Sequence, residues 1–172
     1  MAYKGAKSSP TLWPLLCRPR IMLDTGEIAP EFALQDQHGN LVRSSDLLGS
    51  RNVVLFFYPK DNTLVCNLEV CAFRDAHDEL GSRDAVVLGV SADPVDSHHR
   101  YAQRWNLPYR LLTDVGGRVA EAYHVGRTWG LFPGRVTYVI DKQGVIRSAI
   151  NDPLRASVHV GEALEALDQR KE

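Results

Sequence analysis

The apolar positions of this chain follow two rhythms that alternate along its length. NVVLFFYP (52–59) and DAVVLGVSA (84–92) are near-continuous apolar runs, the pattern of strands covered on both faces. Between them, from about Thr63, the residues Cys66, Val70, Phe73, His77 and Leu80 recur at helical spacing and predict one buried stripe. PVDSHHRYAQRWN (94–106) predicts a second helix, with Pro94 tolerated in its first turn. GGRVAEAYHV (116–125) predicts a shorter third. EFALQDQHGNLVRSSDLLG (31–49) reads as two short strands around a turn at His38-Gly39-Asn40. RVTYVIDKQGVIRSAI (135–150) is a pair of β-rich runs joined at Asp141-Lys142-Gln143-Gly144, a hairpin signal. SVHVGEALEALDQR (157–170) closes the chain as an amphipathic helix. Strand, helix, strand, helix, hairpin, helix predicts an α/β sandwich with a mixed sheet, because a hairpin is antiparallel.

Composition narrows the partners. A chain of 172 residues suits one domain with a sizeable core. The net charge of -1 leaves no electrostatic footprint for nucleic acid. The apolar runs are of strand length, too short to span a membrane. Residues 1–23 are set apart from the domain expected over 24–172. They carry Lys4, Lys7, Arg18 and Arg20 with no acid before Asp24, and Pro10, Pro14 and Pro19 break any helix. TLWPLLC is too short and too proline-interrupted for a secretory signal, and the Arg and Ser content is thin for an organelle transit peptide. A poorly ordered basic extension is expected, with Met22 as an alternative start and Cys17 an incidental thiol. Three cysteines do not make a disulfide-stapled scaffold, so a reducing compartment, the cytoplasm, is expected.

Two of those cysteines, Cys66 and Cys71, lie five residues apart. If the helix starts near Thr63, Cys66 falls in its first turn, among unpaired backbone N–H groups and the positive end of the helix dipole. A thiolate and an anionic ligand are both favoured in such a place. Cys71 lies deeper and gains little from the dipole. On a continuous helix the two Cα atoms are roughly 8–9 Å apart. A disulfide needs about 7 Å or less, so the helix must unwind locally before the pair can close. The spacing is not the C-x-x-C of thiol exchange motifs. Zinc needs three or four convergent ligands, and the adjacent His98 and His99 diverge on a helix. The residues alone leave a reactive pair and two small buried hydrophobes both open.

FFYPKDNT, followed by Cys66, Glu69 and CAFRD, resembles the peroxiredoxin family, and within it the peroxiredoxin Q group, also called bacterioferritin comigratory protein. GEIAPEFALQDQHGN resembles the family's opening hairpin, and RVTYVIDKQGVI its later arginine-bearing strand; the likeness runs over most of the chain after about Thr25. The resemblance implies a thioredoxin-like fold with a central mixed sheet, flanking helices and an N-terminal β-hairpin. It implies a thiol peroxidase acting on hydrogen peroxide and organic hydroperoxides. Cys66 matches the peroxidatic cysteine, oxidised to a sulfenic acid, and Cys71 the resolving cysteine that closes an intramolecular disulfide. Thr63 matches the residue whose hydroxyl contacts thiolate and peroxide, Pro59 the residue that shields the pocket, Arg135 the arginine that faces the thiolate, and Glu69 an acid that supports the arginine. Thioredoxin or a glutaredoxin is the implied reductant, with no cofactor or metal, and a monomer is expected. The alternative is a slow-turnover redox sensor built on the same pair. A thioredoxin-like domain with inert cysteines is a third reading.

Two departures from the group's pattern stand out. Leu64 and Val65 occupy the places where Pro-Gly usually precedes the peroxidatic cysteine, which predicts a less rigid and more apolar pocket rim. The segment 124–136 is shorter than usual, with Trp129 and Phe132 expected to pack under a loop. His77, His98, His99, His124 and His159 are expected as surface or satisfied core histidines, and Arg74 and Asp75 as a solvated helix face.

Overall fold

The computed structural model describes residues 22–128 and 132–169. Residues 1–21, with Cys17, and Trp129 lie outside the described residues, as do the side chains of residues 127, 128, 132 and 133. The strands are β1 (Ala33–Asp36), β2 (Leu41–Arg43), β3 (Asn52–Phe57), β4 (Ala85–Ser91), β5 (Arg110–Thr113), β6 (Arg127–Thr128), β7 (Phe132–Pro133), β8 (Val136–Ile140) and β9 (Ile146–Ile150). The α-helices are α1 (Leu64–Asp75), α2 (His77–Gly81), α3 (Val95–Trp105), α4 (Arg118–Ala122) and α5 (Ala156–Asp168).

Seven strands form one mixed sheet in the order β2-β1-β5-β4-β3-β8-β9, and β6 and β7 form a separate two-stranded ribbon. β3 runs parallel to β4 and antiparallel to β8, with Phe57 opposite Val136. Every residue of β3 is buried, because its side chains alternate between two covered faces. Val54, Phe56 and Tyr58 pack with residues of α1, α2, α3 and α5. Val53, Leu55 and Phe57 pack with Leu23, Ala29, Phe32 and the α4 side of the chain. Gly89 of β4 is held to glycine by close approach. A Cβ there would lie 2.7 Å from Phe56 Cζ and 2.8 Å from Leu111 Cδ2. Among the described residues no helix is long and apolar enough to cross a membrane.

The fold is the thioredoxin-like α/β arrangement expected, with several local differences, the β6–β7 ribbon among them. The helical stretch after Thr63 breaks at Ala76 (φ -92, ψ 4), so His77 and Leu80 belong to a second short helix, and His77 is only half-buried. Pro94 caps α3 from outside instead of sitting in its first turn. β5 has no counterpart in the sequence reading. Its four residues join the opening hairpin to the main sheet, through Gln35 opposite Thr113 and Asp36 opposite Leu112.

Candidate active site

The candidate site lies where β3 hands over to α1, next to the start of β8. Tyr58 donates its backbone N–H to Val90 O, Pro59 follows half-buried, and the chain turns through Asn62 at φ 61. Asn tolerates that left-handed conformation better than most residues. Thr63 is extended (φ -89, ψ 150) and occupies the cap position of α1, but its hydroxyl donates to Lys60 O at 3.3 Å and makes no cap hydrogen bond. The first helical bond runs from Asn67 N to Thr63 O. The N–H groups of Leu64, Val65 and Cys66 therefore precede the helical ladder.

Cys66 is 0% exposed. Arg135 comes to it from the start of β8, donating from Nη2 to Cys66 Sγ at 3.3 Å. The register of β3 against β8 brings this about, since it sets Val136 beside Phe57 at the carboxyl end of β3, where α1 begins. Arg135 is itself buried and pairs through Nη1 with Glu69 Oε2. Glu69 stands three residues after Cys66 on α1, so both point to the same side. Burial pushes the Glu69 carboxyl up to about 7, against the opposing charge and hydrogen bond of Arg135. The Arg135 guanidinium is held charged by Glu69 and Cys66, against its own burial.

Cys71 is half-buried on the same helix, and both thiols are free. Its thiol is pushed up, first by burial, then by the neighbouring Asp75, with Arg74 pulling the other way. Since α1 is continuous from Leu64 to Asp75, the two cysteines keep the roughly 8–9 Å separation of a regular helix. Thus Cys66, Glu69 and Arg135 are in direct contact, Pro59 and Thr63 stand on the loop leading to them, and Cys71 is held apart.

Three residues join the site without having been read as site residues in the sequence. His159 of α5 and Thr137 of β8 bond at 2.8 Å behind Glu69, with His159 Nδ1 3.8 Å from Glu69 Oε1. Tyr101 of α3 donates its hydroxyl to Asn67 Oδ1 at 2.9 Å, and burial together with the nearby Cys66 charge raises its phenol. Thr137 could have been found by period-two spacing from Arg135; a lone His or Tyr carries no such signal. His98 and His159 are satisfied core histidines, as expected. Arg74 and Asp75 form an exposed pair, though Arg74 Nη1 also donates to Trp105 O at 3.1 Å.

Comparison with known proteins gives the family. The AhpC/TSA family profile matches residues 25–149. A chloroplastic peroxiredoxin Q of Triticum aestivum is 39% identical over 143 residues, covering 83% of this chain and 65% of that protein. A chloroplastic peroxiredoxin Q of Suaeda salsa is 38% identical over 162 residues, covering 92% of this chain and 75% of that protein. The crystal structure of peroxidoxin BcpB from Mycobacterium tuberculosis matches with a TM-score of 0.80 at 35% identity, covering 86% of this chain and 98% of that one. The chain spans 65% of the length of the wheat relative. Both plant relatives are chloroplastic, which contradicts the cytoplasmic location expected above. Few cysteines indicate a reducing compartment, and that criterion does not tell the cytoplasm from a reducing organelle interior. On this evidence the chain belongs to the AhpC/TSA family, in its peroxiredoxin Q group.

Proposed function

We propose that this protein is a thiol-dependent peroxidase that reduces hydrogen peroxide and organic hydroperoxides at Cys66. The observation that carries the reading is the buried hydrogen bond from Arg135 to the Cys66 sulfur, at a helix start with free N–H groups. A thiolate there attacks one peroxide oxygen and becomes a sulfenic acid, releasing water or alcohol. Arg135 and the Cys66 backbone N–H are the donors placed to meet charge as the O–O bond breaks. Thr63 joins them once its hydroxyl leaves Lys60 O, and Pro59 shields the pocket. Cys71 then condenses with the sulfenic acid, and thioredoxin or a glutaredoxin reduces the disulfide. A monomer suffices, because one chain supplies every group named.

Treating the reduced protein with a stoichiometric amount of hydrogen peroxide and mapping its peptides by mass spectrometry tests this. A rapidly formed Cys66–Cys71 disulfide is expected, and with it loss of helix signal from α1. A Cys66 that stops at sulfenic acid removes Cys71 from the role of resolver, and an unmodified Cys66 removes the peroxidase reading.

The slow-turnover redox sensor stays as the second reading because Cys66 is 0% exposed, so peroxide reaches it only after the rim opens. Turnover with a dithiol reductant, against a single stoichiometric oxidation, separates the two. The rim itself is unusual. Leu64 is 77% exposed and Leu68 57%, which sets two leucines on the solvent side of α1 around Cys66. Leu64→Pro with Val65→Gly is expected to change the rate ratio between a bulky alkyl hydroperoxide and hydrogen peroxide. Identical ratios before and after would show that the rim does not select the substrate.

A further inference from the structure

One buried cation faces two acids in this site. Arg135 is 4% exposed, and its Nη1 and Nη2 meet Glu69 and Cys66, both 0% exposed. Two full negative charges around a single guanidinium would leave one charge uncompensated in the interior, which burial opposes strongly. The surroundings of Glu69 sharpen that conflict. Its Oε1 has no hydrogen-bond partner among the described residues and lies 3.8 Å from His159 Nδ1. His159 Nε2 is 2.8 Å from the Asp152 carbonyl, so the ring proton sits there. Its Nδ1, 2.8 Å from Thr137 Oγ1, then accepts from the Thr137 hydroxyl. An acceptor nitrogen therefore faces Glu69 Oε1, where a carboxylate would need a donor.

The other ionisable neighbours do not relieve this. Burial, and then the Arg135 charge, hold His159's basicity down against the Asp152 carbonyl. Tyr101 on α3 and Tyr109, just before β5, are kept as neutral phenols by burial. Cys71, on α1, has its thiol pushed up by burial. Burial likewise favours the protonated form of Glu69, up to about pH 7.

We propose that Glu69 is a proton store tied to the redox state of Cys66: protonated while Cys66 is a thiolate, ionised once Cys66 is a sulfenic acid or a disulfide. The inference rests on the peroxidase reading. As the Cys66 Sγ–O bond forms, the peroxide O–O bond breaks; sulfur loses two electrons and the peroxide gains them. The peroxide's own proton stays on the sulfenic acid, so the leaving alkoxide or hydroxide needs one more. Glu69 gives up a matching proton, because Arg135 has lost its thiolate counter-charge and now favours the Glu69 carboxylate. Thiolate, guanidinium and carboxylic acid become sulfenic acid, guanidinium and carboxylate, and the buried net charge is zero before and after. Glu69 acts through Arg135 and is a positioning residue for charge.

The test is a proton count. The reduced full-length protein is mixed with hydrogen peroxide in weak buffer containing a pH indicator, and thiolate content is read in parallel by ultraviolet absorbance. Proton uptake per thiolate oxidised should be near zero over the pH range in which Glu69 starts protonated and ends ionised, and rise toward one at higher pH, where Glu69 is ionised from the start. Glu69→Gln should take up one proton per thiolate throughout. The infrared difference spectrum of the unaltered protein should lose a protonated-carboxyl band on oxidation, a signature that a purely structural Glu69 does not give. Uptake of one proton per thiolate at every pH by the unaltered protein, with no carboxyl band lost, overturns the inference even if the variant does not fold. Failure of peroxide to oxidise Cys66 at all overturns the peroxidase reading and the proton store with it.

Discussion

Arg135→Met is expected to slow the oxidation of Cys66 by peroxide by about 100- to 1,000-fold, the usual effect of removing one donor aimed at a developing oxyanion. Thiolate formation alone gives too little to account for a fast peroxidase. A thiol whose pKa falls from about 8.5 to about 6 gains about 30-fold in thiolate at pH 7. The same fall weakens intrinsic nucleophilicity about 13-fold if a Brønsted slope near 0.45 applies. The net gain is a few-fold, so the peroxide itself must be activated, and Arg135 is the charged donor in contact with the sulfur. Stopped-flow oxidation rates, normalised to thiolate content, should therefore fall far more than the thiolate content does. Equal rates would refute the role. The substitution also strips Glu69 of its cation, and the stability cost depends on pH. The folded protein holds a proton on Glu69 between its ordinary value of 4.5 and about 7, where the unfolded chain has released it. Stability from this group is thus full below about 4.5 and is lost as pH rises through about 7. Without Arg135 the opposing pull is gone and the loss extends to higher pH. The variant should melt closest to the parent on the acid side, and that is where its rate should be compared.

What could be read from the sequence depended on whether a signal was local. The all-buried β3 and β4 stood out as apolar runs, and the β8–β9 hairpin as two such runs around Asp141-Lys142-Gln143-Gly144. β5 was hidden because four residues are too few to show a period, and its place is decided by β4 and β1 on either side. The break at Ala76 was hidden for a related reason. Phe73 and Leu80 keep helical spacing across it, and a change in axis does not disturb that spacing. In the site, Cys66 and Cys71 were legible from their spacing, but the contact between Cys66 and Arg135 was supplied by a resemblance to known sequences. Sixty-odd residues separate them in sequence, and only the β3–β8 register brings them together. His159 was read as an ordinary core histidine, and it is one. Its place behind Glu69 depends on how α5 packs, which no local pattern announces.

The loop that carries Pro59 and Thr63 to the site hangs on a second buried network, and cutting that network should have the largest effect on stability. Asp61 is 5% exposed in the middle of this loop. Its Oδ1 accepts from the Tyr58 hydroxyl at 2.8 Å, and its Oδ2 from Ser97 Oγ at 2.7 Å. His98 Nδ1 lies 3.0 Å from Oδ2, and His98 Nε2 is 3.3 Å from Leu112 O. The Asp61 backbone N–H is tied to Asp93 Oδ2 at 2.9 Å, and Ser91 Oγ holds the same carboxylate oxygen at 2.7 Å. One side chain thus pins the loop to β3 and α3. Asp61→Ala leaves the Tyr58, Ser97 and His98 groups facing a gap where the carboxylate stood. Removing the carboxylate from a buried hydrogen-bonded network costs about 3–5 kcal/mol, chiefly through the groups left unpaired. For a chain of this size that corresponds to a fall in Tm of roughly 6–20 °C. Calorimetry on the variant checks the magnitude. A double-mutant cycle with Ser97→Ala checks the cause, since two groups sharing one network should be non-additive. A fall of under about 1 kcal/mol would mean that water replaces the carboxylate and that the loop is held by its backbone alone. If the larger loss is found, the geometry presented by Pro59 and Thr63 is maintained by residues that touch neither Cys66 nor Arg135. In that case Asp61→Ala should slow Cys66 oxidation well below its melting range, while Arg135 still donates to the sulfur.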